Sequence, residues 1–571
     1  MKNPLGKTSA LAFGVLALSL NAAFAQAQTP AQTNAPEDLS QKILTPKPAP
    51  APRINGPKVF GVRPGNPFLF TVAASGDRPM TFAADGLPQG LQLDPMTGLI
   101  TGVLKDKGEH KVTLRAKNSL GESKREFKIV AGSQIGLTPA LGWNSWNCFG
   151  QAVTAEKVQA AADVMVAKGL INHGWSYINI DDYWEQNPGR MARDETLGGP
   201  GRDANGKIVP NPRFPDMKGL VDHIHSLGLK AGIYSGPGPL TCGQCLASYQ
   251  HEQQDVDSYV GWGFDYLKYD WCSYSRIAAQ EAQARFDATN TAPRLTNTED
   301  TATGTNTAGR RGRGRGGPPL VHDEHVKPYR LMGDILVKAP RDIIFSLCQY
   351  GNDNVWEWGP EVNGNSWRTT GDIGERPSPW ASMANIGFRQ AGREKFAAPG
   401  HFNDPDMLVV GKIGWGASQH PSRLTADEQY THISLWCLLA SPLLIGCDMT
   451  QLDDFTINLL CNDEVLEVDQ DPLGRQASRI VQDTEKLIEI WAKPMEDGSR
   501  AVGLFNRSEE DTTITVKWSD FTNSPMTDLK VSGKQMARDL WRQKDIGTSD
   551  NEFSAKVPRH GVVLVKLSPA K

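Results

Sequence analysis

The chain has 571 residues, 39% hydrophobic and 22% charged, a balance ordinary for a globular protein but a length too great for one domain. A formal net charge of −4 over that length implies no strongly acidic or basic partner. Eight scattered cysteines are too few for a disulfide scaffold.

Residues 1–25 carry Lys2 and Lys7, then the apolar run ALAFGVLALSL, then Ala23-Phe24-Ala25. This is the pattern of a signal peptide and predicts export, to the periplasm or outside the cell. The run is shorter than the roughly 20 residues a membrane span needs, and no second long apolar segment follows, so no membrane span is expected. Residues 26–52 are rich in Pro, Ala and Gln without apolar periodicity, and are expected to form an unfolded linker. From 53 to 132, short alternating runs such as KVFGV, FLFTVAA and REFKIVA lie between Gly, Pro and Asp turns, which predicts a small β-sandwich.

From 133 to 475, strand-like runs alternate with helix-like ones. Thr154 is placed to cap a helix that stops at Gly169, Pro215-Asp216 opens another, and Thr425-x-x-Glu428 is a capping box. The apolar runs ALGWNSW, YINIDDYW, LKAGIYSG, YLKYDWC, IIFSLCQY, SWRTTGDI, HFNDPDMLVV and SPLLIG number eight. Eight such units predict a (β/α)8 TIM barrel, whose active residues gather at the C-terminal strand ends. Residues 276–320 read as a low-complexity, disordered insertion. Its RRGRGRGG run resembles nucleic-acid-binding tails, but a surface loop is the preferred reading and no nucleic-acid partner is expected. Residues 476–571 return to alternating runs and predict a C-terminal antiparallel β-sandwich.

The run YLKYDWC sets Lys268, Asp270 and Cys272 on one strand face, and Asp182, Asp372 and Asp406 end other strands. Two carboxylates across a sugar-sized gap are the minimum for glycoside hydrolysis. Asp270 suits the nucleophile, with Lys268 favouring its ionised form. Asp372, after a Thr-Thr-Gly bend, suits the proton donor, and Arg368 is placed to bind a sugar hydroxyl. Trp146 is the candidate stacking platform, whereas Trp143, Trp175 and Trp184 read as core. Cys242-Gly-Gln-Cys245 has no second metal motif, so no metal is expected, and a bridge joins Cys272 to Cys242 or Cys245. His322 and His325 read as solvated.

Two resemblances follow. GLPQGLQLDPMTGLITGVL resembles immunoglobulin-like modules that precede catalytic domains in secreted bacterial glycosidases. The ordered set TPALGWNSWNCFG, YINIDDYW, GLKAGIYSG, DYLKYDWC, SWRTTGDI, NDPDMLV and QDPLGRQ closely resembles glycoside hydrolase family 27, typified by α-galactosidases, over about residues 138–571. The resemblance implies a retaining exo-glycosidase acting on galactose-containing oligo- or polysaccharides, without cofactor. It implies Asp270 as nucleophile and Asp372 as acid/base. It also implies a sugar pocket of Trp146, Asp181, Asp182, Tyr234, Lys268, Gln349, Arg368 and Asp406, and a Cys242–Cys272 disulfide.

Where the family commonly has Cys-Glu-Trp, this chain has Cys348-Gln349-Tyr350. Gln349 is not small, so an N-acetyl group at C2 is expected to clash. Galactose or L-arabinopyranose is favoured over N-acetylgalactosamine, isomaltosyl cleavage is a further alternative, and an inactive carbohydrate-binding protein a remote one.

Overall fold

The computed structural model describes residues 38–189, 194–291 and 318–570. Its centre is one parallel sheet of eight strands: β1 (Leu141–Asn144), β2 (Tyr177–Asn179), β3 (Lys230–Ser235), β4 (Tyr266–Asp270), β5 (Ile344–Cys348), β6 (Ser366–Arg368), β7 (Phe402–Asp404) and β8 (Leu443–Ile445). Each expected apolar run supplies one strand. β8 pairs back onto β1, and between β7 and β8 the ring is closed through Leu408, whose N–H donates to Leu444 O (2.8 Å) and whose carbonyl accepts from Gly446 N (3.1 Å). The parallel barrel of the sequence reading is thus present, flanked by an N-terminal and a C-terminal β structure.

Side-chain alternation sorts the barrel residues. Ile178, Ile233, Leu267, Phe345, Leu347 and Trp367 point outward into the main apolar core under the helices. On the inward face, Tyr177, Tyr266 and Ile344 fill the floor with Ile135, while Tyr234, Lys268, Asp270 and Arg368 lie at the other end. The helices begin where the sequence places their caps. Thr154 accepts from Lys157 N at the start of Ala155–Ala167, Asp216 caps Met217–Ser226, and Thr425 with Glu428 closes a capping box on Ala426–Leu438.

The N-terminal module has a four-stranded sheet (Val59–Val62, Gly121–Ala131, Gly108–Asn118, Thr81–Asp85) facing a three-stranded one (Pro67–Thr71, Leu99–Val103, Leu91–Leu93), with its own core around Phe70, Ile100 and Phe127. It docks on the loops that precede barrel strands. Asn55 Nδ2 donates to Asn172 O ahead of β2 (3.0 Å) and Thr71 Oγ1 to Gly228 O ahead of β3 (2.7 Å). Arg63 N and Asn66 Nδ2 both donate to Asp342 ahead of β5 (2.8 Å each). The module therefore covers the barrel floor, opposite the C-terminal strand ends.

The C-terminal structure is a six-stranded antiparallel sheet against the antiparallel pair Thr512–Lys517 and Glu552–Val557. Helix Ala426–Leu438 is buried between it and the barrel. Thr431 Oγ1 donates to His560 O (2.7 Å) and Trp541 Nε1 to Ser434 Oγ (2.8 Å).

Three expectations require correction. Within 26–52, Leu39–Lys42 forms a 3-10 turn, and Leu39, Ile43 and Leu44 pack on the barrel; Tyr430 accepts from Leu44 N (3.0 Å) and donates to Lys42 O (2.8 Å). The apolar pair Ile43-Leu44 supplies the burial that the Pro- and Ala-rich remainder lacks. Within 276–320, the first part is no loop: Tyr274–Thr291 is helical, burying Ala278 and Ala282 one turn apart, and Arg285 reaches Glu324 of the helix His322–Lys338. Of the two histidines of that second helix, His322 is exposed as expected, whereas His325 is half-buried. His322 Nδ1 meets Asp353 at 2.7 Å, and His325 stacks on Trp271 with ring centroids 5.4 Å apart. The expected signal peptide and the RRGRGRGG run lie outside the described residues, among which no helix is long and apolar enough to cross a membrane.

Candidate active site

A cavity of about 590 Å3 opens at the C-terminal ends of the strands. Of the expected pocket residues, Trp146, Asp181, Tyr234, Lys268, Asp270, Arg368, Asp372 and Asp406 line it together, although they come from six strand ends.

Asp270 is buried at the end of β4 and bonded to two phenols. Tyr350 Oη donates to its Oδ1 (2.7 Å) and Tyr234 Oη to its Oδ2 (3.1 Å). Both phenols are held protonated by burial, with the Asp270 charge adding to it, so both remain donors. Burial pushes the Asp270 carboxyl above its ordinary value; Lys268 and the Tyr350 and Tyr234 hydrogen bonds offset only part of that. Lys268 thus favours the anion as expected without deciding its state. Its Nζ contacts Asp181 Oδ2 at 2.8 Å, and Asn144 Nδ2 donates to the same oxygen at 2.8 Å.

Arg368 is a buried fork between two carboxylates, 2.9 Å from Asp406 Oδ1 and 2.8 Å from Asp372 Oδ1. Asp406 is held at φ 115°, a left-handed conformation that costs a non-glycine residue, and is fixed there by Ile373 N and Met407 N donating to its carboxylate at 2.7 and 2.8 Å. Burial, against the pull of Arg368, raises the Asp406 carboxyl to about 6. Asp372 is different, with a side chain 67% exposed at the cavity mouth. Partial burial raises its carboxyl, but the charge and hydrogen bond of Arg368 outweigh this and hold it below its ordinary value.

Trp146 lines the cavity, stacked at 9° to Tyr183 and edge-on to Trp415, with centroids 4.8 Å apart. Trp143, Trp175 and Trp184 are buried core residues, each with its indole N–H on a backbone carbonyl. Cys242 is bonded to Cys272, Cα atoms 5.0 Å apart, whereas Cys245 is a free buried thiol.

Two expected pocket residues do not line the cavity. Gln349 has no exposed surface and sits behind the wall, its amide 3.5 Å from His325 Nδ1. Asp182 turns away to accept from Thr241 Oγ1 (2.8 Å) and Gly243 N (2.6 Å), so it fastens the loop that carries Cys242. Alternation explains both. Asn179 and Asp181 share the inward parity of β2, which leaves Asp182 outward; Cys348 pairs with Asp270 and points inward, which leaves Gln349 outward. The same count finds a residue the sequence reading passed over. Tyr350 shares the parity of Cys348 and, at φ 61°, turns into the cavity onto Asp270. Behind Asp182, Glu185 and Cys245 complete a buried group whose ligand-type atoms lie within 4.8 Å of one another, away from the cavity.

The family model described as "Alpha galactosidase A" matches residues 138–295 and 321–471. The model for the "Alpha galactosidase C-terminal beta sandwich domain" matches 485–567, and an Ig-domain model matches 51–131. An alpha-galactosidase of Cyamopsis tetragonoloba is 34% identical over 462 residues, 80% of this chain and 93% of that protein. A solved structure from Bacteroides fragilis superposes with TM-score 0.75 at 32% identity, covering 93% of this chain and all of the other. Alpha-galactosidase I of Mortierella vinacea superposes with TM-score 0.61 at 30% identity, covering 77% of this chain and 99% of its own. With the eight-stranded barrel, the paired carboxylates in its mouth and these matches in view, the chain belongs to the α-galactosidase family of glycoside hydrolases.

Proposed function

We propose that this enzyme hydrolyses terminal, non-reducing α-D-galactosyl residues of oligo- or polysaccharides by double displacement, with Asp270 as nucleophile and Asp372 as acid/base. The observation that carries this reading is the unlike setting of the two carboxylates in one cavity. Asp270 is buried, fixed by two phenols and aimed inward, while Asp372 is exposed at the mouth, where a leaving group departs.

In the first step Asp270 attacks the anomeric carbon, and the glycosidic bond breaks as Asp372 gives its proton to the departing oxygen. In the second, Asp372 takes a proton from water, which attacks the anomeric carbon and frees Asp270, so that the product keeps the α configuration. Asp372 rests ionised beside Arg368, the state the second step uses. Loading its proton for the first step calls for Arg368 to turn wholly to Asp406, which it already contacts. Asp181, joined to Lys268 and Asn144, offers an acceptor and a cation to the galactose hydroxyls, and Trp146 a flat surface to its apolar face.

The test is proton NMR of the first sugar released from an α-galactoside. The α anomer of galactose is expected before mutarotation, and Asp270→Asn is expected to lose turnover by about 10^4-fold or more. Release of the β anomer, or an active Asp270→Asn variant, refutes the mechanism.

A further inference from the structure

Trp415 is the only exposed tryptophan among the described residues, with 49% of its surface open, and it lies at the cavity mouth. It is not a loose side chain. Its loop joins the paired strands Lys412–Ile413 and His420–Pro421, and is tied to the loop after β1 by Gly414 N donating to Asn147 O (2.6 Å) and Gln419 Nε2 donating to Cys148 O (2.8 Å). The indole is seated against Gly150, where a Cβ would come within 2.8 Å of the ring, so the seat accepts glycine alone. Trp146 meets it edge-on. An indole pinned on one side and bared on the other at a cavity mouth is an arrangement made for a ligand with an apolar face.

The polar complement stands on the facing loop. Glu375 follows the acid/base candidate Asp372 by three residues and lines the same cavity. Its Oε2 is 3.1 Å from His420 Nε2 and 3.5 Å from Arg423, while its Oε1 is buried with no hydrogen-bond partner among the described residues. Because Asp372 serves the leaving oxygen, the rim that carries Glu375 is the leaving-group side.

Resting on the galactosidase reading above, we propose that Trp415 and Glu375 form the seat of the leaving group, and that this group is itself a pyranose sugar. The indole takes the C–H face of that ring and Glu375 accepts from its hydroxyls.

The experiment compares wild type, Trp415→Ala and Trp415→Phe on a galactose-α-1,6-glucose disaccharide and on α-galactosyl fluoride, whose leaving group has no ring. Trp415→Ala is expected to lower kcat/KM on the disaccharide about three- to tenfold, with the fluoride changed by less than twofold and Trp415→Phe retaining most of the disaccharide rate. Equal losses on both substrates, or no loss on the disaccharide, overturn the proposal. A wild type inert toward both refutes the galactosidase reading instead. Calorimetric titration of the disaccharide then decides Trp415 separately: binding weakened by Trp415→Ala upholds the seat, and binding unchanged or absent in wild type removes it.

Discussion

Tyr350 donates a 2.7 Å hydrogen bond to Asp270, across from the 3.1 Å bond of Tyr234. The hydrogen bonds to the buried carboxylate thus come from phenols, while Lys268, engaged with Asp181, favours the anion through its charge. Burial already raises the Asp270 carboxyl, and Tyr350 opposes that rise. Tyr350→Phe removes a bond that favours the anion, so the carboxyl moves further up. Activity needs the anion, so the acid limb of kcat/KM against pH shifts to higher pH. A hydrogen bond to a charged group contributes about 1.5–3 kcal/mol, so the expected displacement is roughly 1–2 pH units. An unmoved acid limb would show that Tyr350 does not set the nucleophile's ionisation.

Asp372 carries only the proton-transfer part of the reaction, so its loss depends on the leaving group. Asp372→Ala is expected to lower kcat/KM on a disaccharide by about 10^2–10^4-fold. On α-galactosyl fluoride, whose leaving ion needs no proton, kcat/KM is expected to fall less than tenfold, while kcat drops because the second step lacks its base. Parallel losses in kcat/KM on both substrates would assign Asp372 a binding role.

Glu185 is fully buried beside Asp182, and neither carboxyl oxygen has a hydrogen-bond partner among the described residues. Burial, with Asp182 adding to it, holds its carboxyl well above the ordinary value. The unfolded chain releases this proton near pH ~4.3, whereas the folded chain keeps it to higher pH, so folding loses stability as pH rises from there to the folded value. Glu185→Gln removes that loss. It is expected to stabilise the protein at pH 7 by about 1–3 kcal/mol in urea unfolding, with the gain vanishing near pH 4. A variant less stable at pH 7 would show that the negative charge is needed in place.

Asp342 accepts from Arg63 N and Asn66 Nδ2, and pairs with the Arg63 guanidinium, at the seam between module and barrel floor. Asp342→Ala leaves these donors with no acceptor in a half-buried seam, at a cost of about 1–3 kcal/mol. Because the seam lies at the far end of the strands from the cavity, KM is expected to be unchanged. A changed KM with unchanged stability would overturn this placement.

Much of the barrel was legible because every strand but the last is a short run that ends in a polar residue, and the caps at Thr154, Asp216 and Thr425 are local signals. The inward set was legible wherever counting by two was carried through. Gln349 and Asp182 were expected in the pocket from the family resemblance, whereas alternation from Asp270 through Cys348 turns Gln349 outward and Tyr350 inward, and from Asp181 turns Asp182 outward. Helix Tyr274–Thr291 was missed because, beyond Tyr274 and Ile277 at its start, its buried stripe is alanine amid Gln, Glu and Arg, so that composition resembled the low-complexity tract that follows. Trp415 was beyond local patterning altogether, since its seat depends on Gly150, far away in the chain.

The docking of Asn55, Arg63, Asn66 and Thr71 beneath the strands has a practical corollary for anyone who attaches this enzyme to a support. A tether engineered at the exposed Met96 of the module would leave the opening unobstructed. Immobilised beads made this way should process soluble saccharides as fast as free enzyme, because attachment and catalysis occupy opposite poles of one scaffold.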